Sequence, residues 1–144
     1  MSGRESLFVD ANIFMYLAGR DAALRERCRS ALRAAAERDI ALVTSAEVLQ
    51  EVLHRYASLG RPEYARAVYS AATDICAEIL PITERQTARA LDLVERFPHV
   101  PARDALHAAT MEERGIERIL SADRHFDALD TVTRVDPAAS GSPR

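Results

Sequence analysis

The chain contains no lysine: all 19 of its basic residues are arginine. A P-loop, which needs a Gly-Lys pair to grip phosphates, is therefore excluded. So is any enzyme that works through a lysine Schiff base or a lysine nucleophile. Cysteine is nearly absent as well. Cys28 and Cys76 stand alone, without C-x-x-C spacing, so neither a disulfide framework nor a thiolate zinc site is indicated. No apolar run approaches the ~20 residues that a membrane-spanning helix requires. Arg4 and Glu5 interrupt the N-terminus before a signal-like stretch develops, and the expected location is cytoplasmic. The net charge of −3 gives no overall attraction for a polyanion. A nucleic acid would have to be held by a local basic patch, or by cations bridging carboxylates to phosphates.

What is present is an ordinary globular composition, 48% hydrophobic and 28% charged over 144 residues, enough for one domain with a proper core. That domain is expected to span residues 1–136. Residues 137–144 are mostly Pro, Ala, Ser and Gly and are expected to form a flexible tail. Within the domain, short apolar runs alternate with helical periodicity. Leu7-Phe8-Val9, Ile40 to Val43, Ile79-Leu80, Ile119-Leu120 and Val132 to Val135 read as strands. Between them, Ala22 to Arg38 carries a stripe of Leu24, Cys28, Ala31, Leu32 and Ala35. Thr44 and Ser45 open a helix that Gly60 stops, and Pro62 begins another with Tyr64, Val68, Ala72, Ile75 and Cys76 on one side. Thr83 to Phe97 and Arg103 to near Gly115 are the last two helices. Strands separated by helices predict an α/β fold, with a mainly parallel sheet covered on both faces. Ligands gather at the carboxyl ends of the strands in such sheets.

Asp10 and Asp123 both lie just past strand-like runs, on that rim. Each also suits a turn or a helix N-cap. Glu47 and Glu51 are one turn apart on the helix after Val43. Glu47 completes a capping box with Thr44-Ser45-Ala46. Glu51 has no such local explanation and lies closer to the apolar stripe of Val48, Leu49, Val52, Leu53 and Tyr56. A carboxylate there is costly unless it is bound, by a metal or by Arg55. Asp104 opens the helix containing Ala105, Ala108 and Ala109. It is either an N-cap or an acid that closely packing alanines carry inward.

These residues resemble a known family. Val9-Asp10-Ala11-Asn12-Ile13-Phe14 is similar to the opening signature of PIN domains, specifically the VapC-type toxins of bacterial toxin–antitoxin pairs. Thr44-Ser45 followed by Glu51, then Arg103-Asp104-Ala105-Leu106-His107-Ala108-Ala109-Thr110, then Ser121-Ala122-Asp123-Arg124-His125-Phe126, resemble its second, third and fourth motifs in order. The resemblance spans Phe8 to about Pro137. It implies a three-layer α/β/α sandwich with a short, mainly parallel sheet. It also implies an endoribonuclease that hydrolyses RNA phosphodiester bonds with metal-activated water, using Mg²⁺ or Mn²⁺. A cognate antitoxin and homodimerisation are implied as partners. Asp127 is an extra acid near the fourth motif and ranks as a helper.

Phosphodiester hydrolysis needs an activated water and charge neutralisation at the phosphate, which divalent cations supply. Hard cations take oxygen ligands. Each pair of carboxylates at 4 Å repels by about 4 kcal/mol at an effective dielectric of 20, so such a cluster makes sense as a cation site. Asp10 and Asp104 are assigned as direct ligands, with Glu51 and Asp123 ligating a second ion or positioning water. Asn12, the sole asparagine, either orients Asp10 or caps the following helix, and Ser121 is expected to hydrogen-bond within the site. His107 and His125 are given no role, because a packed or exposed histidine is the commoner case. Arg55, Arg103 and Arg124 lie near the acids in sequence. Arg20, Arg25, Arg27, Arg29 and Arg33 form either an RNA track or a solvated helix face. A phosphatase working through an aspartyl phosphate fits poorly, since Asn12 replaces the second acid and no lysine is available. A PIN scaffold that binds RNA or protein without cutting stays open at this stage.

Overall fold

The computed structural model describes residues 4–139. β1 (Ser6–Val9) supplies Leu7, Phe8 and Val9, all buried, as a central strand covered on both faces requires. Four more parallel strands complete the sheet in the order β3-β2-β1-β4-β5: β2 (Ala41–Ser45), β3 (Glu78–Leu80), β4 (Arg118–Leu120) and β5 (Thr133–Val135). The chain builds outward from β1 to β3 and then crosses back to β4 and β5. The direction of winding therefore reverses between β1 and β4, and their carboxyl ends bound the crevice where such folds bind ligands. The register pairs Val9 with Leu120, and the Asp10 N–H continues the ladder to Leu120 O at 3.0 Å.

Six helices connect the strands: α1 (Ala11–Leu17), α2 (Ala22–Glu37), α3 (Ala46–Ser58), α4 (Pro62–Ile75), α5 (Glu84–Arg96) and α6 (Ala102–Glu113). α1 to α4 pack among themselves, and α5 packs on α6. Right-handed crossovers in opposite directions put these two groups on opposite faces, which gives the expected three layers. Gly60 and Gly115, both at φ +68°, end α3 and α6 in the left-handed conformation that suits glycine. The expected α2 stripe is buried at Cys28, Ala31, Leu32 and Ala35.

Two local expectations are corrected. Thr44 does not open the helix: with Ser45 it ends β2, and its Oγ1 donates to Val9 O at 2.8 Å. Ser45 is the N-cap of α3, its Oγ accepting from the Val48 N–H at 3.2 Å. The cap thus falls one residue too late for the Thr44–Glu47 box, and Glu47 cannot close it. In α4, Ala65, Val68 and Ala72 face inward, whereas Tyr64 and Ile75 are exposed, because the helix packs on α3 through its small side chains. Of the expected tail, Pro137–Ala139 form a single 3₁₀ turn with Pro137 buried, and 140–144 lie outside the described residues.

Candidate functional site

Asp10 leaves β1 directly into α1 and caps it, Oδ1 accepting from the Ala11 N–H at 2.7 Å. The N-cap position is therefore Asp10 rather than Asn12. Asp10 Oδ2 accepts from Ser121 Oγ at 2.6 Å and from Asn12 Nδ2 at 3.3 Å. Asn12 Oδ1 in turn accepts from the Ala122 N–H at 3.3 Å. Asn12 and Ser121 thus orient Asp10. Burial pushes the Asp10 carboxyl above its usual range, while the His107 charge and the Ser121 hydrogen bond pull the other way.

Two groups of potential ligand atoms stand at this rim, each with its members within 4.8 Å of one another: Asp10, Glu51 and His107, and Asp104, Asp123 and His125. Glu51 reaches the rim from the second turn of α3 and is not paired with Arg55. Its Oε1 lies 3.3 Å from His107 Nε2, and Arg103 Nη1 lies 3.6 Å from Oε2. Arg103 also approaches Glu47, at 3.7 Å. His107 is fully buried between Phe8 and Phe126 and lies 3.7 Å from Asp10 Oδ1. Burial alone would lower its proton affinity. The Glu51 hydrogen bond and the charges of Asp10, Glu51 and Asp104 outweigh that, and the net direction is upward.

Asp104 does not cap α6, whose N-cap is Pro101. It sits inside the first turn and is buried, because Ala105, Ala108 and Ala109 let the helix approach the sheet closely. Its Oδ2 is buried without a hydrogen bond, although His125 Nδ1 lies 3.4 Å away. Burial, hydrogen bonding to Asp123 that favours the protonated form, and repulsion from Asp123 and Asp10 push the Asp104 carboxyl up to about 8, against the pull of His107. Asp123 follows β4 and caps the 3₁₀ helix Arg124–Ala128, accepting from the His125 N–H at 2.9 Å. His125 Nδ1 returns to the same Asp123 oxygen at 2.7 Å.

The structure therefore gathers Asp10, Glu51, Asp104 and Asp123, with Asn12 and Ser121 beside them. It adds His107 and His125, which sequence reasoning set aside. The only signal for His107 was its position one turn after Asp104, on the same helix face. Asp127 is held elsewhere: Arg134 Nε and Nη2 donate to it at 2.9 and 3.2 Å, which keeps its carboxyl below the usual range.

Against known proteins, residues 7–132 match the PIN domain family model. The chain is 37% identical over 129 residues to Ribonuclease VapC13 of Mycobacterium tuberculosis, covering 90% of this chain and 98% of that one. Its fold matches the crystal structure of VapC20 of the same species, a sarcin-ricin loop cleaving toxin. The TM-score is 0.72 at 20% identity, over 88% of this chain and 96% of that one. A toxin–antitoxin complex from Klebsiella pneumoniae matches at a TM-score of 0.64 and 19% identity, over 91% and 97%.

Proposed function

The chain belongs to the PIN domain family, and we propose that it is a Mg²⁺- or Mn²⁺-dependent endoribonuclease, the toxin of a toxin–antitoxin pair. The observation that carries this reading is Asp104. Its Oδ2 is buried without a hydrogen bond, and burial first, then the neighbouring acids Asp123 and Asp10, push its carboxyl up to about 8. Among the described residues no arginine reaches that carboxyl and only His125 Nδ1, at 3.4 Å, approaches it, so a divalent cation would relieve it. The remaining donors on the rim are mainly carboxylate oxygens, which suit a hard divalent ion.

Asp10 and Asp104 would hold that ion directly, and Glu51 and Asp123 would hold a second ion or orient the attacking water. A bound divalent cation neutralises charge on the scissile phosphate and lowers the pKa of water. Ser121 and Asn12 fix the Asp10 carboxylate in one orientation, so little reorganisation is needed as the reaction proceeds. Arg103, about half exposed beside Glu51, offers positive charge at the lip of the site.

RNA is the proposed substrate, as the name of VapC13 states for that relative, and the cytoplasm is the proposed place of action. A protein antitoxin and a second copy of the chain are the proposed partners. Leu53 and Leu59 on and after α3, and Tyr64 and Tyr69 on α4, are exposed and give a protein partner apolar surface to cover. Among the described residues, no helix is long and apolar enough to cross a membrane.

Cleavage of a generic RNA with Mg²⁺ or Mn²⁺, against an EDTA control and with Asp10→Asn as the blank, tests the reading. Cutting that persists in EDTA defeats the metal dependence. RNA binding without cutting favours a non-catalytic PIN module.

A further inference from the structure

His107 lies between the two acids of the first group. Its ring is fully buried, 5.7 Å from Phe8 and 6.4 Å from Phe126 between centroids. The two ring nitrogens meet opposite surroundings. Nε2 faces Glu51 Oε1 at 3.3 Å and Asp10 Oδ1 at 3.7 Å. Nδ1 is buried and has no hydrogen-bond partner.

That asymmetry fixes where the proton sits. An imidazole binds a cation through a bare nitrogen and then carries its hydrogen on the other one. Ligating histidines almost always donate that second N–H to a carboxylate, a carbonyl or water. Were Nε2 the ligand, Nδ1 would become a buried N–H against aromatic rings with nothing to accept it, a cost of about 1–3 kcal/mol. Hydrogen on Nε2 gives that N–H the Glu51 carboxylate as acceptor, with the Asp10 charge close by.

We propose that His107 is a positioning residue and not a metal ligand: its Nε2–H donates to Glu51 and holds that carboxylate at the rim, so that the Asp10 and Glu51 carboxylates are what this group offers a cation. The proposal rests on the reading of the rim as a divalent-cation site. Nε2 bears hydrogen in the neutral ring and in the imidazolium alike, and in the imidazolium the two carboxylates facing it offset the unpartnered Nδ1–H. Asp104 and His107 then divide one face of α6 between them, the acid serving the ion and the imidazole serving Glu51. The consequence is that the Asp10–Glu51 side of the rim offers a cation oxygen donors alone, which suit hard cations better than zinc or nickel.

The test is the long-range ¹⁵N–¹H spectrum of the histidine rings in the full chain, recorded without and with saturating Mg²⁺. Uptake of the ion is measured separately by calorimetry. His107 Nε2 is expected to carry hydrogen in both spectra. A bare Nε2 whose shift moves on Mg²⁺ addition would overturn the proposal. His107→Gln keeps a donor and should hold Mg²⁺ affinity within about threefold, whereas His107→Leu should weaken it about 10- to 100-fold. Equal losses in two folded variants would also overturn the proposal, and if either variant fails to fold the wild-type spectra decide. Calorimetry that detects no Mg²⁺ uptake sinks the cation site itself and this assignment with it. Uptake with a ligated Nε2 sinks the assignment alone.

Discussion

Ser121 Oγ donates a 2.6 Å hydrogen bond to Asp10 Oδ2 across 111 positions of sequence. The same hydroxyl accepts the Asp123 N–H at 2.9 Å and approaches Asn12 Nδ2 at 3.4 Å. One proton and two lone pairs are thereby all engaged. The parallel register that seats Val9 beside Leu120 brings the two strand ends together, and this hydroxyl then fixes the acid after β1 relative to the acid after β4.

Ser121→Ala should therefore impair catalysis more than folding. Asp10 Oδ2 loses its shortest donor, and the part-buried Asp123 N–H loses its acceptor. Together these cost about 1–3 kcal/mol of stability. Losing an orienting group next to a ligand costs about 10- to 100-fold in activity or metal affinity. Steady-state cleavage rates and thermal melts measure both. Wild-type cleavage by the variant would show that Asp10 does not need this hydroxyl.

Asp104 makes the metal-free protein sensitive to pH. Its carboxyl is pushed from 3.8 up to about 8 in the folded state, so between those values the folded protein holds a proton that the unfolded chain has released. Stability is then fully present below about pH 4 and falls as pH rises toward 8. Asp10 and His107, both raised, act in the same direction. Asp104→Asn should flatten this slope, raise the melting temperature at pH 8 by several degrees, and abolish cleavage. Melts in EDTA from pH 5 to 8 test the slope, and a variant less stable than wild type at pH 8 would give the Asp104 carboxylate a structural role. Mg²⁺ at a hundred times its dissociation constant should restore about 2.7 kcal/mol to the wild type.

The acids after β1 and β4 were legible because a short, wholly apolar run followed by Asp marks a buried strand leaving the sheet at its carboxyl end. Glu51 was legible because it lacked a local partner. Thr44 misled because a β-branched hydroxyl side chain suits a strand end and a helix cap equally well, and pairing with β3 decides between them, leaving the cap to Ser45. His107 was not legible. On a face of alanines it reads as a packed histidine until the fold places Glu51 and the Phe8 ring opposite it. Arg134 was hidden for a related reason: nothing local distinguishes an arginine on an edge strand whose side chain is only 8% exposed.

Arg134 and Asp127 should separate support from catalysis. Arg134 Nη1 donates to Ser121 O at 3.0 Å while its other nitrogens hold Asp127. Asp127→Asn should keep at least about half of wild-type cleavage, since Asp127 is turned to Arg134 and belongs to neither group of potential ligands. Arg134→Met removes the donor to the Ser121 carbonyl and should reduce kcat several-fold with KM for RNA little changed. Kinetics on both variants check this, and a loss of activity in Asp127→Asn with metal affinity lowered would bring Asp127 into the ion site.

The two glutamates of α3 give the sharpest discrimination. Glu47 forms no capping box, and its ion pair to Arg103 spans 3.7 Å. Glu47→Ala should therefore cost under about 0.5 kcal/mol and leave cleavage intact. Glu51→Gln keeps the size of the side chain and can still accept from His107 Nε2, but it removes the charge facing Asp10 and the rim. Cleavage should fall at least about 100-fold, the scale for removing one group that stabilises charge in the transition state, with the fold retained. Paired kinetics and melts on the two variants settle the assignment. An inactive, folded Glu47→Ala protein beside an active Glu51→Gln protein would exchange the two roles and would leave His107 holding a glutamate that the reaction does not need.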